Sequence, residues 1–287
     1  MVALALVTSL LWGLADFGGG LLTRRLPALT VVVASQTLAT VVLGAIVVAT
    51  GAWSEAGARL WFAVAAGVVG PLAMLLFYRA LALGPMGVVS PLTATALAVP
   101  VGLALFLGER PGPVQYAGMA VALVGVLLAG GLTRGGGGGV PRRTLLYTAG
   151  AALGLGAVLA LIAEASTTVT GLFLALFVQR LCNVLTGGAA LWAAARRGAP
   201  VLPEGGRELL VAALPSLTFV GLADVAANGT YALAARMGPV TVAVVLASLY
   251  PVVTALAARG VLRERLLAAQ AAGAGLALAG TLLLAVS

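Results

Sequence analysis

Three ionisable side chains fall well inside long apolar runs: Asp16, Arg180 and Asp224. Charge in hydrocarbon is costly, and ionisable residues within membrane spans are functional candidates by default. Two acids and one base cannot all be neutralised by pairing. Burial disfavours the charged form of the acid left over. Such a group can take up a proton in one state and release it in another, which is what a proton-coupled carrier needs. Asp16 is the first candidate, with Asp224 as the second proton-coupling residue. Trp12 and Gly13 stand at i−4 and i−3 from Asp16, and Gly19 and Gly20 at i+3 and i+4, all on one helix face. Small residues beside an acid and an aromatic leave room for a ligand or for a neighbouring backbone. The structural alternative is a bridge between Asp16 and Arg180.

Further polar residues line up with these charges. Gly221, Asp224, Asn228 and Tyr231 form a helical stripe that must face protein or a water-filled cavity. It could line the cavity or knit helices together. Gln179, Asn183 and Gly187 form a second stripe, matched by Gln36, Thr40 and Gly44. Its presence in both places argues for helix packing. Arg180 beside it could counter an acid or bind an anionic substrate group. Ser90, Pro91, Thr93, Thr95 and Pro100 interrupt one span, and Ser248, Tyr250 and Pro251 another. A proline frees the carbonyl four residues earlier, here those of Ala96 and Ala247 for Pro100 and Pro251. Pro91, Pro100 and Pro251 are therefore the expected gating residues. The expected substrate contacts are Trp12, Asp16, Phe17, Tyr78, Ser90, Thr93, Arg180, Asp224, Asn228, Tyr231, Ser248 and Tyr250. Glu109-Arg110, Glu264-Arg265 and Glu164 lie at span ends, where charges act as interfacial anchors.

These side chains must be positioned by membrane helices. Of 287 residues 62% are hydrophobic and 8% charged, against about 25% charged in soluble domains. So much apolar surface cannot be buried in one water-soluble core, and the chain reads as an all-α integral membrane protein. Runs of about 20 apolar residues span a bilayer. About ten are expected, near 2–22, 28–50, 59–83, 87–108, 113–132, 144–164, 171–195, 208–235, 239–259 and 266–286. The apolar start reads as a retained helix and not a signal peptide. The net charge of +8 is carried wholly by Arg and sits between the apolar runs, a topology signal and not a nucleic-acid one. Loops after odd-numbered spans hold twelve arginines and those after even-numbered spans three, which puts both termini outside. With no His and one Cys, Cys182, there is no metal cluster, no cofactor site and no intrachain disulfide to expect.

The chain repeats itself. Glu109-Arg110, Gln115, Gly118 and Gly125 return as Glu264-Arg265, Gln270, Gly273 and Gly280 with the same internal spacing. Gly13, Gln36, Leu38 and Gly44 return as Gly156, Gln179, Leu181 and Gly187. Two copies are expected, 1–132 and 144–287, joined by a Gly/Arg-rich linker over 133–143. An odd number of spans per copy inverts the second, giving two inverted five-helix repeats with the substrate site near the midplane between them.

Trp12-Gly13, Tyr78, Gly84, Gly108-Glu109-Arg110, Gly118 and Gly125, with Tyr250-Pro251, Glu264-Arg265, Gly273 and Gly280, resemble the EamA-type members of the drug/metabolite transporter superfamily. The resemblance covers essentially the whole chain. Arg263 departs from it, standing where the family usually has Gly. It implies ten helices in two inverted repeats and export or exchange of small organic molecules such as amino acids, nucleotide metabolites, sugars and cationic drugs. It also implies cytoplasmic termini, opposite to the arginine count. Asp16 is similar in placement to the essential first-helix acid of the related small multidrug resistance proteins.

The expected function is secondary active transport of a small amino-acid-like, cationic or zwitterionic metabolite by alternating access, as proton-coupled export. The expected setting is the cell (inner) membrane, as a multi-pass monomer or homodimer. The partners are the small-molecule substrate, the lipid bilayer and protons, with no nucleic acid. The alternatives are a non-catalytic membrane scaffold, a sugar or nucleotide-metabolite exchanger, and a channel. No nucleophile, metal cluster or acid–base pair points to an enzyme.

Overall fold

A computed structural model describes residues 1–97, 99, 112–129, 140–165, 167–204, 206–237, 246–247, 249–263 and 268–285. The described residues are helical, with no strand among them. The helices are α1 (Val2–Leu22), α2 (Ala28–Thr50), α3 (Leu60–Leu83), α4 (Met86–Ala94), α5 (Pro113–Ala129), α6 (Arg142–Ala165), α7 (Val169–Arg196), α8 (Gly206–Arg236), α9 (Tyr250–Leu262) and α10 (Ala268–Ala285). Six of them, α1, α2, α3, α6, α7 and α8, are long and apolar enough to cross a bilayer. The described parts of α9 and α10 are shorter apolar helices.

Helix ends follow local chemistry. Gly51 closes α2 in the left-handed conformation, and a 3-10 turn over Ala52–Glu55, absent from the sequence reading, follows it. Thr168 caps α7 by accepting the Gly171 N–H at 3.0 Å. The interruption expected between Ser90 and Pro100 does not fall at Pro91 in α4. The helix runs through the proline and loosens into a 3-10 turn at Thr95–Leu97. Pro71 and Pro215 likewise sit inside α3 and α8. Membrane helices tolerate such prolines because neighbouring groups re-satisfy the freed carbonyl. Pro251 stands in the first turn of α9, where its missing N–H costs little. Pro100, Ser248, Glu109-Arg110, Glu264-Arg265 and most of the Gly-rich linker lie outside the described residues.

The packing has an internal exchange pattern. α1 packs on α8, as α6 packs on α3; α2 on α8, as α7 on α3; α1 on α9, as α6 on α4. α2 pairs with α7, α4 with α9 and α5 with α10. Exchanging the first five helices for the last five leaves these pairings unchanged. Among the described residues the contacts of α4 with α10, α2 with α3 and α1 with α3 are more extensive than their exchange counterparts.

Glycines set the closest crossings in matched places. A Cβ on Gly13 of α1 would strike the Tyr250 carbonyl oxygen and Val253 of α9. One on Gly156 of α6 would strike the Ala96 carbonyl oxygen and Val99. Gly221 of α8 lies against the Ser35 carbonyl of α2, and Gly67 of α3 against the Gln179 carbonyl and Cys182 of α7. Close backbone approach through small residues substitutes for a hydrophobic drive between helices in lipid. α4 is the innermost element, since each of its residues is buried.

Arg263 explains the one departure from the repeated motif in backbone terms. It ends α9 at φ 54 and ψ 33, the left-handed region, which Gly enters freely and other L-residues enter at about 1–2 kcal/mol. Arg263→Gly is expected to stabilise the protein by about 1 kcal/mol, and Arg263→Val to destabilise it. Thermal unfolding of the purified protein in detergent checks both.

Candidate functional site

The core is organised around one guanidinium. Arg180 lies on the buried face of α7, with its side chain 9% exposed. It pairs through Nη2 with Asp224 Oδ2 of α8 at 2.5 Å. Its Nη1 donates to Gln36 Oε1 of α2 at 2.5 Å. The same Gln36 oxygen accepts from Asn183 Nδ2, one turn along α7, at 3.2 Å. Asn228 Nδ2 donates to the Asp224 carbonyl at 2.7 Å and to Asp224 Oδ1 at 3.3 Å. Gly70 of α3 leaves the space that the Asn183 side-chain oxygen fills. Three helices therefore converge on the Arg180 charge, and a fourth makes room.

This resolves the pairing that the sequence left open. Arg180 takes Asp224, not Asp16. The α8 stripe knits helices together: Gly221 meets α2, Asp224 meets Arg180, and Asn228 braces Asp224. Gln36 and Asn183, read from the sequence as a packing stripe, hold the guanidinium. A guanidinium has five N–H donors, so one carboxylate could never have satisfied it, and that was the available clue.

Asp16 is half-buried and makes no hydrogen bond or ion pair among the described residues. It lies within electrostatic range of Asp224, Tyr78 and Tyr250. Trp12, one turn earlier, packs its ring 5.9 Å from that of Tyr231 and 6.2 Å from that of Tyr250, the latter edge-on. The carboxylate thus stands one turn from Trp12 and within electrostatic range of Tyr250, and Tyr231 joins through its packing on the Trp12 ring. Thr254 Oγ1 secures the α1–α9 seam by donating to the Gly13 carbonyl at 3.1 Å. The room expected around Asp16 is partly taken: Gly13 seats α9, and Gly19 seats the Tyr78 ring.

Other expected contacts fall elsewhere. Tyr78 is buried and stacks on Phe77. Phe17 does not join the Asp16 face. It turns into an apolar groove between α1 and α8, because the next position on a helix is rotated by about 100°. Ser90 and Thr93 are fully buried in α4; Thr93 Oγ1 bonds its own helix at the Val89 carbonyl. Ser90 Oγ is buried without a partner.

Apolar helices long enough to cross a bilayer, closed around charges that lipid cannot solvate, define a polytopic membrane protein whose polar chemistry is in its core. A family model described as the EamA-like transporter family matches residues 1–131 and again 143–286. The chain belongs to the EamA-like transporter family. A solved structure titled only "Crystal structure of protein" is similar in fold, with a TM-score of 0.58 and 20% identity over 98% of this chain and 94% of that one. Among curated proteins no match was found.

Because Arg180 is shielded by three helices, losing one partner strands a charge. Arg180→Met or Asp224→Leu alone is expected to cost about 3–5 kcal/mol, with much of it recovered in the double variant. Asp16→Asn breaks no pair and is expected to change stability by no more than about 0.5 kcal/mol, or to raise it. Detergent unfolding of the four variants checks the set.

Proposed function

We propose that the chain is a secondary active transporter of the cell (inner) membrane that exports small organic cations in exchange for protons. It works by alternating access between two inverted five-helix units, 1–132 and 144–287. Two separate matches to one family model support the two-unit reading. So do the exchangeable helix pairings and the matched seams of Gly13 on α9 and Gly156 on the Ala96–Val99 segment.

The observation that carries the substrate reading is the division of the core charges. Arg180 is engaged by Asp224 and Gln36, while Asp16 has no partner among the described residues. An acid inside a membrane core must be balanced by a proton or by a cation. Proton and substrate then compete for one carboxylate, and competition is coupling. Trp12, Tyr231 and Tyr250 offer ring faces on which an ammonium or guanidinium group gains cation–π attraction. An anionic or phosphorylated solute would need a cation in the core, and Arg180 is already neutralised. That favours amine-bearing solutes over sugar phosphates, nucleotides and zwitterions.

The test is flux in proteoliposomes carrying an imposed pH gradient, read over a panel of organic amines and matched carboxylates. Amine flux is expected to follow the proton gradient, and Asp16→Asn to reduce it to background, with Asp16→Glu retaining part. Coupled flux undiminished in Asp16→Asn would reject the role of Asp16.

A further inference from the structure

The groove that receives Phe17 is not accounted for by solute transport. It has a volume of about 410 Å³ and lies between α1 and α8 on the outside of the bundle, lined by Leu14, Phe17 and Leu22 of α1 and by Pro215, Ser216 and Phe219 of α8. Its shape follows from composition. Gly18 and Ser216 supply no bulk, and Val220 closes the floor beneath Gly18. Phenylalanines and leucines form the walls.

The length of the groove is informative. From Leu14 to Leu22 it follows about 12 Å of helix axis. One leaflet of a roughly 30 Å hydrocarbon core is about 15 Å deep. The groove therefore starts near mid-membrane and opens at one interface, the reach of a single acyl chain.

Charge collects at that open end. Arg24 and Arg25 follow Leu22 within one turn, held by the Arg25 N–H to Leu22 carbonyl bond at 3.0 Å. α1 and α8 run antiparallel: Thr8 meets Ala227 and Thr230, and Gly18 meets Val220. Arg207, at the start of α8, is thus carried to the same end. Leu26, Leu209 and Leu210 share one apolar cluster there. Arg79 adds a fourth basic group, since the neighbouring Tyr78 carbonyl accepts from Thr23 Oγ1 at 3.2 Å. All four arginines are exposed. Glu204 and Glu208 are the acids at this end, and the patch stays net positive.

We propose that the α1–α8 groove holds one acyl chain of an anionic phospholipid, with its phosphate at Arg25 and Arg207. Apolar depth matched to one leaflet selects a lipid over a free anion. The arginine mouth selects an anionic head over a zwitterionic one. Binding there braces α1, which carries Trp12 and Asp16, against α8, which carries Asp224 and Tyr231.

The test uses the full chain in mild detergent with added phosphatidylglycerol, phosphatidylcholine of the same acyl chains, or glycerol 3-phosphate alone. Native mass spectrometry reads retained lipid and thermal unfolding reads stabilisation. At the usual strength of basic residues near anionic surfaces, two arginines give a roughly tenfold to thirtyfold preference for phosphatidylglycerol. Arg25→Gln with Arg207→Gln is expected to abolish that preference. Arg142→Gln with Arg143→Gln, which also removes two charges, is expected to leave it intact. Ser216→Phe, at an exposed position, is expected to fill the groove and weaken retention of both lipids. Equal retention of the two lipids, a preference surviving in the Arg25/Arg207 variant, or the same stabilisation by glycerol 3-phosphate alone would each overturn the proposal.

Discussion

A guanidinium cannot stand alone in hydrocarbon, and the arrangement of this bundle depends on how Arg180 is satisfied. Snorkelling to an interface does not help a residue in the middle of α7. The charge has to be met in place, and Asp224 of α8 and Gln36 of α2 meet it. Those two helices come from opposite halves of the chain. The Asp224 pair that neutralises Arg180 lies within the second half, and the Gln36 bond ties it to the first, so the cluster joins the halves. It fixes the rotation of α2, α7 and α8 about their axes, because a turn of any one would break the contact and leave a buried charge or amide unpaired.

Glycines make that contact possible. Side chains as short as Asp and Gln reach Arg180 only if the backbones are close. Gly221 brings α8 onto α2, Gly67 brings α3 onto α7, and Gly70 yields space to Asn183. The seams at Gly13 and Gly156 likewise set a glycine against a carbonyl of the facing segment, with the side chains of Val253 and Val99 beside it.

Much of this was legible in the sequence, and the limits are physical. The apolar runs marked α1, α2 and α3 closely, because hydrocarbon thickness sets span length directly. The three core charges stood out because lipid penalises them wherever they fall. Which acid Arg180 would choose was not legible, since Asp16 and Asp224 are equivalent as composition and differ only in which helices pack together. Gln36 was seen but valued as packing, because its partner lies 144 positions away in the chain. Phe17, an expected substrate contact, lines the α1–α8 groove because consecutive positions on a helix face different ways. The interruption expected between Ser90 and Pro100 falls at the 3-10 turn Thr95–Leu97 and not at Pro91, because α4 is enclosed by neighbours that support it through the proline.

The consequence of the Arg180–Asp224 pair reaches beyond stability. With those two charges cancelled, Asp16 alone decides the net charge of the described core. A core carrying one uncompensated charge resists closing off from water, since desolvating it is expensive. A core in which Asp16 holds a proton or a cationic solute is neutral and can be occluded. Alternating access would then be permitted only to loaded states, whichever ligand loads them. The unloaded carboxylate would hold the protein open to one side, so that neither species leaks without the other. On the proposed transport reading, the ion pair that looks merely structural is what would make the remaining acid selective, because it takes the other two described core charges out of the balance.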